Sequence, residues 1–89
     1  MKKEIQKTSE IFKLLSNEVR LCIVVNLHLN GEKKVNELQD CSGASQSFVS
    51  QQLAKLKAAG IIKSRKEGQQ VYYSLSNEDV SDIIKNLKI

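Results

Sequence analysis

Hydroxyl and amide side chains crowd the segment Ser45-Gln46-Ser47-Phe48-Val49-Ser50-Gln51-Gln52, and cations and amides crowd the stretch from Lys63 to Gln70. A glutamine amide pairs with an adenine edge in the major groove of DNA, a serine hydroxyl bonds a base or a phosphate, and an aromatic ring packs on a thymine methyl. Lysine and arginine neutralise backbone phosphates. The chemistry on offer is that of a nucleic-acid ligand. Ser45, Gln46, Ser47, Phe48, Ser50, Gln51, Gln52 and Lys55 are the candidate contacts from the first stretch, and Lys63, Arg65, Lys66 and Gln69 those from the second. Two of these keep an alternative: Gln52 lies at the edge of the apolar stripe and is either a base reader or a half-buried polar residue, and Phe48 is either a contact or part of the core.

Those residues need elements to hold them. Ser45 is placed to cap a helix running to about 59, on which Val49, Leu53 and Leu56 share one side at the 3.6-residue period while Ser47, Gln51, Ala54 and Ala58 share the other. Gly60 ends that helix. Two β-rich runs, about 61 to 66 and 70 to 75, flank Glu67-Gly68 and predict a hairpin whose basic tip stands beside the helix. Tyr72 and Tyr73 are adjacent in it and must face opposite sides, one toward the core and the other outward. Upstream, apolar spacing predicts helices over about 4 to 15, 17 to 29 and 34 to 41, the second covered on most sides and stopped at Gly31. A last helix, about 77 to 88, carries Glu78 and Asp79 early and Lys85 and Lys88 late, complementing its dipole.

The expected architecture is mainly α with a small antiparallel β-hairpin wing, a winged helix-turn-helix of about five helices and two strands forming a single domain over 1–89. So small a domain buries a modest share of its surface, and Ile5 and Phe12 of the first helix with Val80, Ile83, Ile84 and Leu87 of the last form apolar stripes suited to a two-fold interface. A homodimer is expected. The formal net charge of +4 favours a polyanionic partner. No apolar run approaches the roughly 20 residues of a membrane span, and the charged start Met1 to Glu10 is unlike a secretory signal. A cytoplasmic location follows as an expectation, with no membrane partner. There is no glycine-rich phosphate loop, no paired His and carboxylate motif and no nucleophile elbow, so no enzyme is expected. Cys22 and Cys41 lack any paired-Cys motif and are expected to be free thiols, Cys22 as a buried hydrophobe and Cys41 as the more accessible of the two, a possible thiol switch. His28 is alone, so no metal or other cofactor is expected.

The order of elements, together with Leu14-Leu15-Ser16-Asn17-Glu18-Val19-Arg20-Leu21, the Ser45 to Leu53 segment and the Gly60-Ile61-Ile62 to Tyr73-Ser74-Leu75 ribbon, resembles the ArsR/SmtB family of bacterial transcriptional repressors. The resemblance covers about 10 to 88. It implies a homodimeric, sequence-specific repressor, joined through its first and last helices, that sits on an inverted repeat in double-stranded DNA until an inducer releases it. The alternative is a winged helix that binds another polypeptide without reading DNA. The family's sensing sites are not matched. Its third-helix Cys-x-Cys pattern meets Lys34-Val35-Asn36, its last-helix zinc set meets Asn77 and Asp79 with later ligand positions falling beyond Ile89, and its second-helix redox cysteine falls on Val25. The inducer is left unknown.

Overall fold

The computed structural model describes residues 1–41, 43 and 45–89. The expected joint residue Ser42 lies outside the described residues. Four α-helices, a short 3-10 helix and three strands follow in the order α1 (Lys2–Leu15), α2 (Glu18–Asn30), β1 (Lys33–Lys34), the 3-10 helix (Val35–Cys41), α3 (Gln46–Ala58), β2 (Ile62–Glu67), β3 (Gln70–Leu75) and α4 (Glu78–Leu87). The fold is mainly helical with a small antiparallel wing, as the patterning requires.

Local chemistry sets the boundaries. The Asn17 side chain accepts from the Val19 and Arg20 amides, Ser45 Oγ from Phe48 N, and Asn77 Oδ1 from Val80 N, so three helices begin at a capping oxygen. Gly60, with φ of 76°, turns the chain out of α3 in a backbone conformation that a side chain would strain. A two-residue turn, Gly68-Gln69, then joins β2 to β3, whose register pairs Ile62 with Leu75 and Glu67 with Gln70.

The third strand is the main departure from expectation. Lys33 and Lys34 pair with Tyr73 and Tyr72, giving the sheet order β1-β3-β2, and the segment after them winds as a 3-10 rather than an α-helix. A two-residue strand has too few positions to show alternation, which is why it leaves no mark in the sequence. The core runs through the middle of the molecule: Ile23, Val24 and Leu27 of α2, Leu38 of the 3-10 helix, Val49, Leu53 and Leu56 of α3, and Ile61, Ile62, Val80 and Ile84 are buried, with Ile11 and Leu15 of α1 closing one side.

The apolar stripe of α4 divides accordingly. Val80 and Ile84, expected at a dimer interface, are 0% and 2% exposed and belong to the protomer's own core, because α4 packs that edge of its stripe on α2. Ile83 is half-buried, and Leu87 is exposed together with Ile5 and Phe12.

The cysteines also depart from expectation. Cys22 and Cys41 are joined by a disulfide, with Cα atoms 5.5 Å apart, so Cys41 is not the free thiol of a one-cysteine switch. Burial of Leu38 presses the 3-10 helix onto α2 and brings its last residue beside Cys22, a proximity that a separation of 19 residues could not reveal.

Candidate nucleic-acid interface

Helix α3 supplies one side of the site. Val49, Leu53 and Leu56 are fully buried, which fixes the helix against α2, the 3-10 helix and β2 and leaves Ser47 and Gln51 exposed on the opposite side, with Ser50 and Lys55 exposed on its flanks and Gln46 exposed at the first turn, in line with Val49 and Leu53. Phe48 is at the surface, 37% exposed, rather than in the core. Gln52 resolves the other way: at 4% exposure it is the buried polar residue among those described, and its Oε1 accepts from Arg20 NH1 at 2.9 Å. Of the two alternatives the sequence leaves, the structure has the buried polar residue. The 3.6-residue period rotates it past the exposed face toward α2, where an amide without a partner would be costly. Arg20 also donates through Nε to the Leu14 carbonyl at 2.7 Å, so one guanidinium ties the end of α1, the start of α2 and the middle of α3 together.

The wing supplies the other side. Lys63, Arg65, Lys66 and Gln69 are all exposed. Directly opposed residues of an antiparallel ladder share a face, so the register sets Lys66 with Val71 on one face of the ribbon and Arg65 with Tyr72 on the other. Tyr73 turns to the core and Tyr72 away from it, as the adjacent pair demands. Between the wing, the residues just after β1 and the start of α3 lies an open groove of about 380 Å³ whose wall includes Asn36, Gln46, Gln69 and Val71. The groove borders both stretches of candidate contacts.

Arg65 occupies a setting the sequence did not suggest. Its Nε and one terminal nitrogen fork onto the two carboxylate oxygens of Glu32 at 2.7 Å each, its other terminal nitrogen meets Glu67 at 2.6 Å, and its guanidinium lies 4.6 Å from the centre of the Tyr72 ring. The hydrogen bonds from Arg65 hold the Glu32 carboxyl below the usual carboxylate range, and the two carboxylates raise the guanidinium pKa further. Sequence reasoning misses Glu32 as a functional residue. It is the sole acid between Gly31 and Asn36, but its place beside Arg65 follows only once β1 is known to pair with β3.

Among the described residues no group of three or more His, Cys, Asp or Glu is placed to hold a metal ion, and no helix is long and apolar enough to cross a membrane.

Comparison with known proteins places this geometry. Residues 17–64 match the model of a bacterial regulatory protein family, the arsR family. Over 87 residues the chain is 40% identical to the transcriptional activator HlyU of Vibrio cholerae, spanning 98% of this chain and 80% of that protein. It is 33% identical to the biofilm growth-associated repressor of Xylella fastidiosa, spanning 98% and 75%. A solved structure of Vibrio cholerae HlyU superposes with a TM-score of 0.90, covering 98% of this chain and 94% of that one. The transcriptional repressor BigR of Xylella fastidiosa superposes at 0.87, with 33% identity and coverage of 98% and 88%.

Proposed function

Because the chain belongs to the arsR family of bacterial regulatory proteins, we propose that it is a homodimeric repressor that binds an inverted-repeat DNA operator sequence-specifically, with α3 in the major groove and the wing on the adjacent backbone. The winged helix-turn-helix is the fold of DNA-binding regulators and not of an enzyme. The observation that carries the proposal is the exposed surface of α3, where Ser47 and Gln51 present base-reading groups on the side opposite Val49, Leu53 and Leu56, with Ser50 flanking them and Gln46 exposed at the first turn. Ser45 caps that helix by accepting from the Phe48 amide, which fixes where its first turn begins. Phe48 adds an apolar contact, and Lys55, Lys66 and Gln69 grip the backbone to either side, while Lys63 stands on the Arg65 face of β2.

Pairing follows from what stays uncovered. Ile5 and Phe12 are 61% and 54% exposed on one face of α1, which also bears Met1 and Thr8, and Leu87 is 52% exposed on α4 with Ile83 beside it. A two-fold axis through these faces would bury them and set two reading helices about 34 Å apart, one turn of DNA. Relatives include one named an activator and one named a repressor.

Titrating the protein onto the DNA upstream of its own gene, at two salt concentrations, tests the reading. A specific complex of two chains per duplex, weakening steeply as salt rises, is expected. Equal affinity for upstream and scrambled duplexes would leave a winged helix that does not read sequence.

A further inference from the structure

One of the cations expected to grip phosphate, Arg65, is already held by the protein. Arg65 stands on β2, one edge of the sheet, and Glu32 flanks β1, the other edge; β3 runs between them and carries Tyr72 beneath the guanidinium. The residues thus span all three strands on the face opposite the one that carries Lys66 and Val71. We propose that Arg65 is a positioning residue rather than a phosphate contact: with Glu32 and Tyr72 it forms a strap across the back of the sheet that sets the angle of the wing to the reading helix.

Geometry supports the strap over a phosphate contact. The fork between Arg65 and Glu32 uses both oxygens of the carboxylate, an arrangement that fixes direction as well as distance. The Tyr72 ring adds a stacking surface that holds the guanidinium plane over β3. To reach a phosphate, Arg65 would have to leave Glu32 and Glu67 behind as two unpaired carboxylates beside the polyanion, and their repulsion of the phosphates would offset the attraction of the freed guanidinium. The backbone ladder that ties the wing to the body at this edge is only the pair Lys33 and Lys34 against Tyr73 and Tyr72, so a side-chain strap adds a constraint the ladder lacks. On the front of the ribbon, Val71 and the turn residue Gln69 border the groove that Gln46 of α3 also lines. The angle of the wing therefore sets how a duplex can meet Gln69, Lys66 and Gln46 at once. Lys66, on this front face, takes the phosphate role.

The inference rests on the DNA-binding reading, and three proteins separate the two: wild type, Glu32→Gln, and the exchange Glu32→Arg with Arg65→Glu, which restores the ion pair with its direction reversed. Each is titrated by fluorescence anisotropy onto the operator and onto an unrelated duplex over a salt series, and amide hydrogen exchange is followed in β1 and the wing. Glu32→Gln is expected to weaken operator binding about three- to five-fold, the range one exposed, well-formed ion pair allows. Its salt slope should stay at the wild-type value, wing exchange should quicken, and the exchanged pair should recover part of both affinity and protection, since the carboxylate then at position 65 stands beside Glu67 and loses the Tyr72 contact. If Glu32→Gln tightened binding to both duplexes and steepened the slope by about one unit, Arg65 would be a phosphate contact that Glu32 restrains, and the proposal would fall. Unchanged affinity and unchanged exchange would overturn it as well. Wild type that prefers neither duplex would refute the sequence-reading function, while the exchange data would still report whether the strap orders the wing.

Discussion

Helix α3 and the wing carry their polar groups in opposite ways. The outer face of α3 holds Ser47 and Gln51, with Ser50 at its flank, exposed to solvent over a rigid apolar base, whereas the wing's arginine is forked onto Glu32, bonded to Glu67 and stacked on Tyr72. Burial positions the helix; charge positions the ribbon. A helix fixed by fully buried Val49, Leu53 and Leu56 needs no polar ties at its exposed side, while a two-stranded ribbon with little core beneath its tip gains order from a surface clamp. Positive charge in a sequence is thus a poor guide to which cation is available to a ligand.

The contrast can be broken most severely at the base of α3. Leu53→Ala removes a fully buried side chain between α3 and α2 and should cost about 2–5 kcal/mol of stability in urea unfolding. No wing substitution should approach that. Reduction of Cys22–Cys41, which closes a loop with a separation of 19 residues, should lower stability by about 3 kcal/mol while leaving the anchoring of Leu38 intact. Denaturation with and without reductant, checked against Cys22→Ser, measures it. Gln52→Ala leaves Arg20 without its partner on α3 and should cost about 1–3 kcal/mol in stability with no change in the salt slope of DNA binding. A lost preference for the operator over an unrelated duplex would return Gln52 to the interface.

The smallest effect is expected from acid. Arg65 lowers the Glu32 carboxyl below its ordinary value, with Lys63 adding to the field, so the strap's contribution is fully present above the unfolded carboxylate's pKa and is lost as pH falls through the lower folded value. Wing amide exchange, corrected for the intrinsic rate, should rise across that acidic window in wild type and stay flat in Glu32→Gln.

Much of this architecture is legible in the sequence because it depends on local signals. Ser45, Asn17, Asn77, Gly31 and Gly60 announce the helix ends, and the 3.6-residue period of Val49, Leu53 and Leu56 announces the face of α3. What the sequence hides depends on contacts between distant segments. The disulfide needs Leu38 to bring two helices together, the strap needs a strand of two residues, and the burial of Gln52 needs Arg20 from another helix. The α4 stripe misleads for a related reason: Val80 and Ile84 look the same as Leu87 on a helical wheel, and only the packing partner decides which of them faces inward.

The division of labour between α3 and the wing is tested most directly by comparing Gln51→Ala and Lys66→Ala on the operator and on an unrelated duplex across a salt series. Gln51→Ala should lose about 1–3 kcal/mol on the operator alone, keeping the wild-type salt slope, because a base contact carries sequence information and no counterion. Lys66→Ala should weaken both duplexes alike and flatten the slope by about one unit, because a phosphate contact does the reverse. If Gln51→Ala left the preference for the operator unchanged, or weakened both duplexes equally, α3 would not be the element that reads sequence.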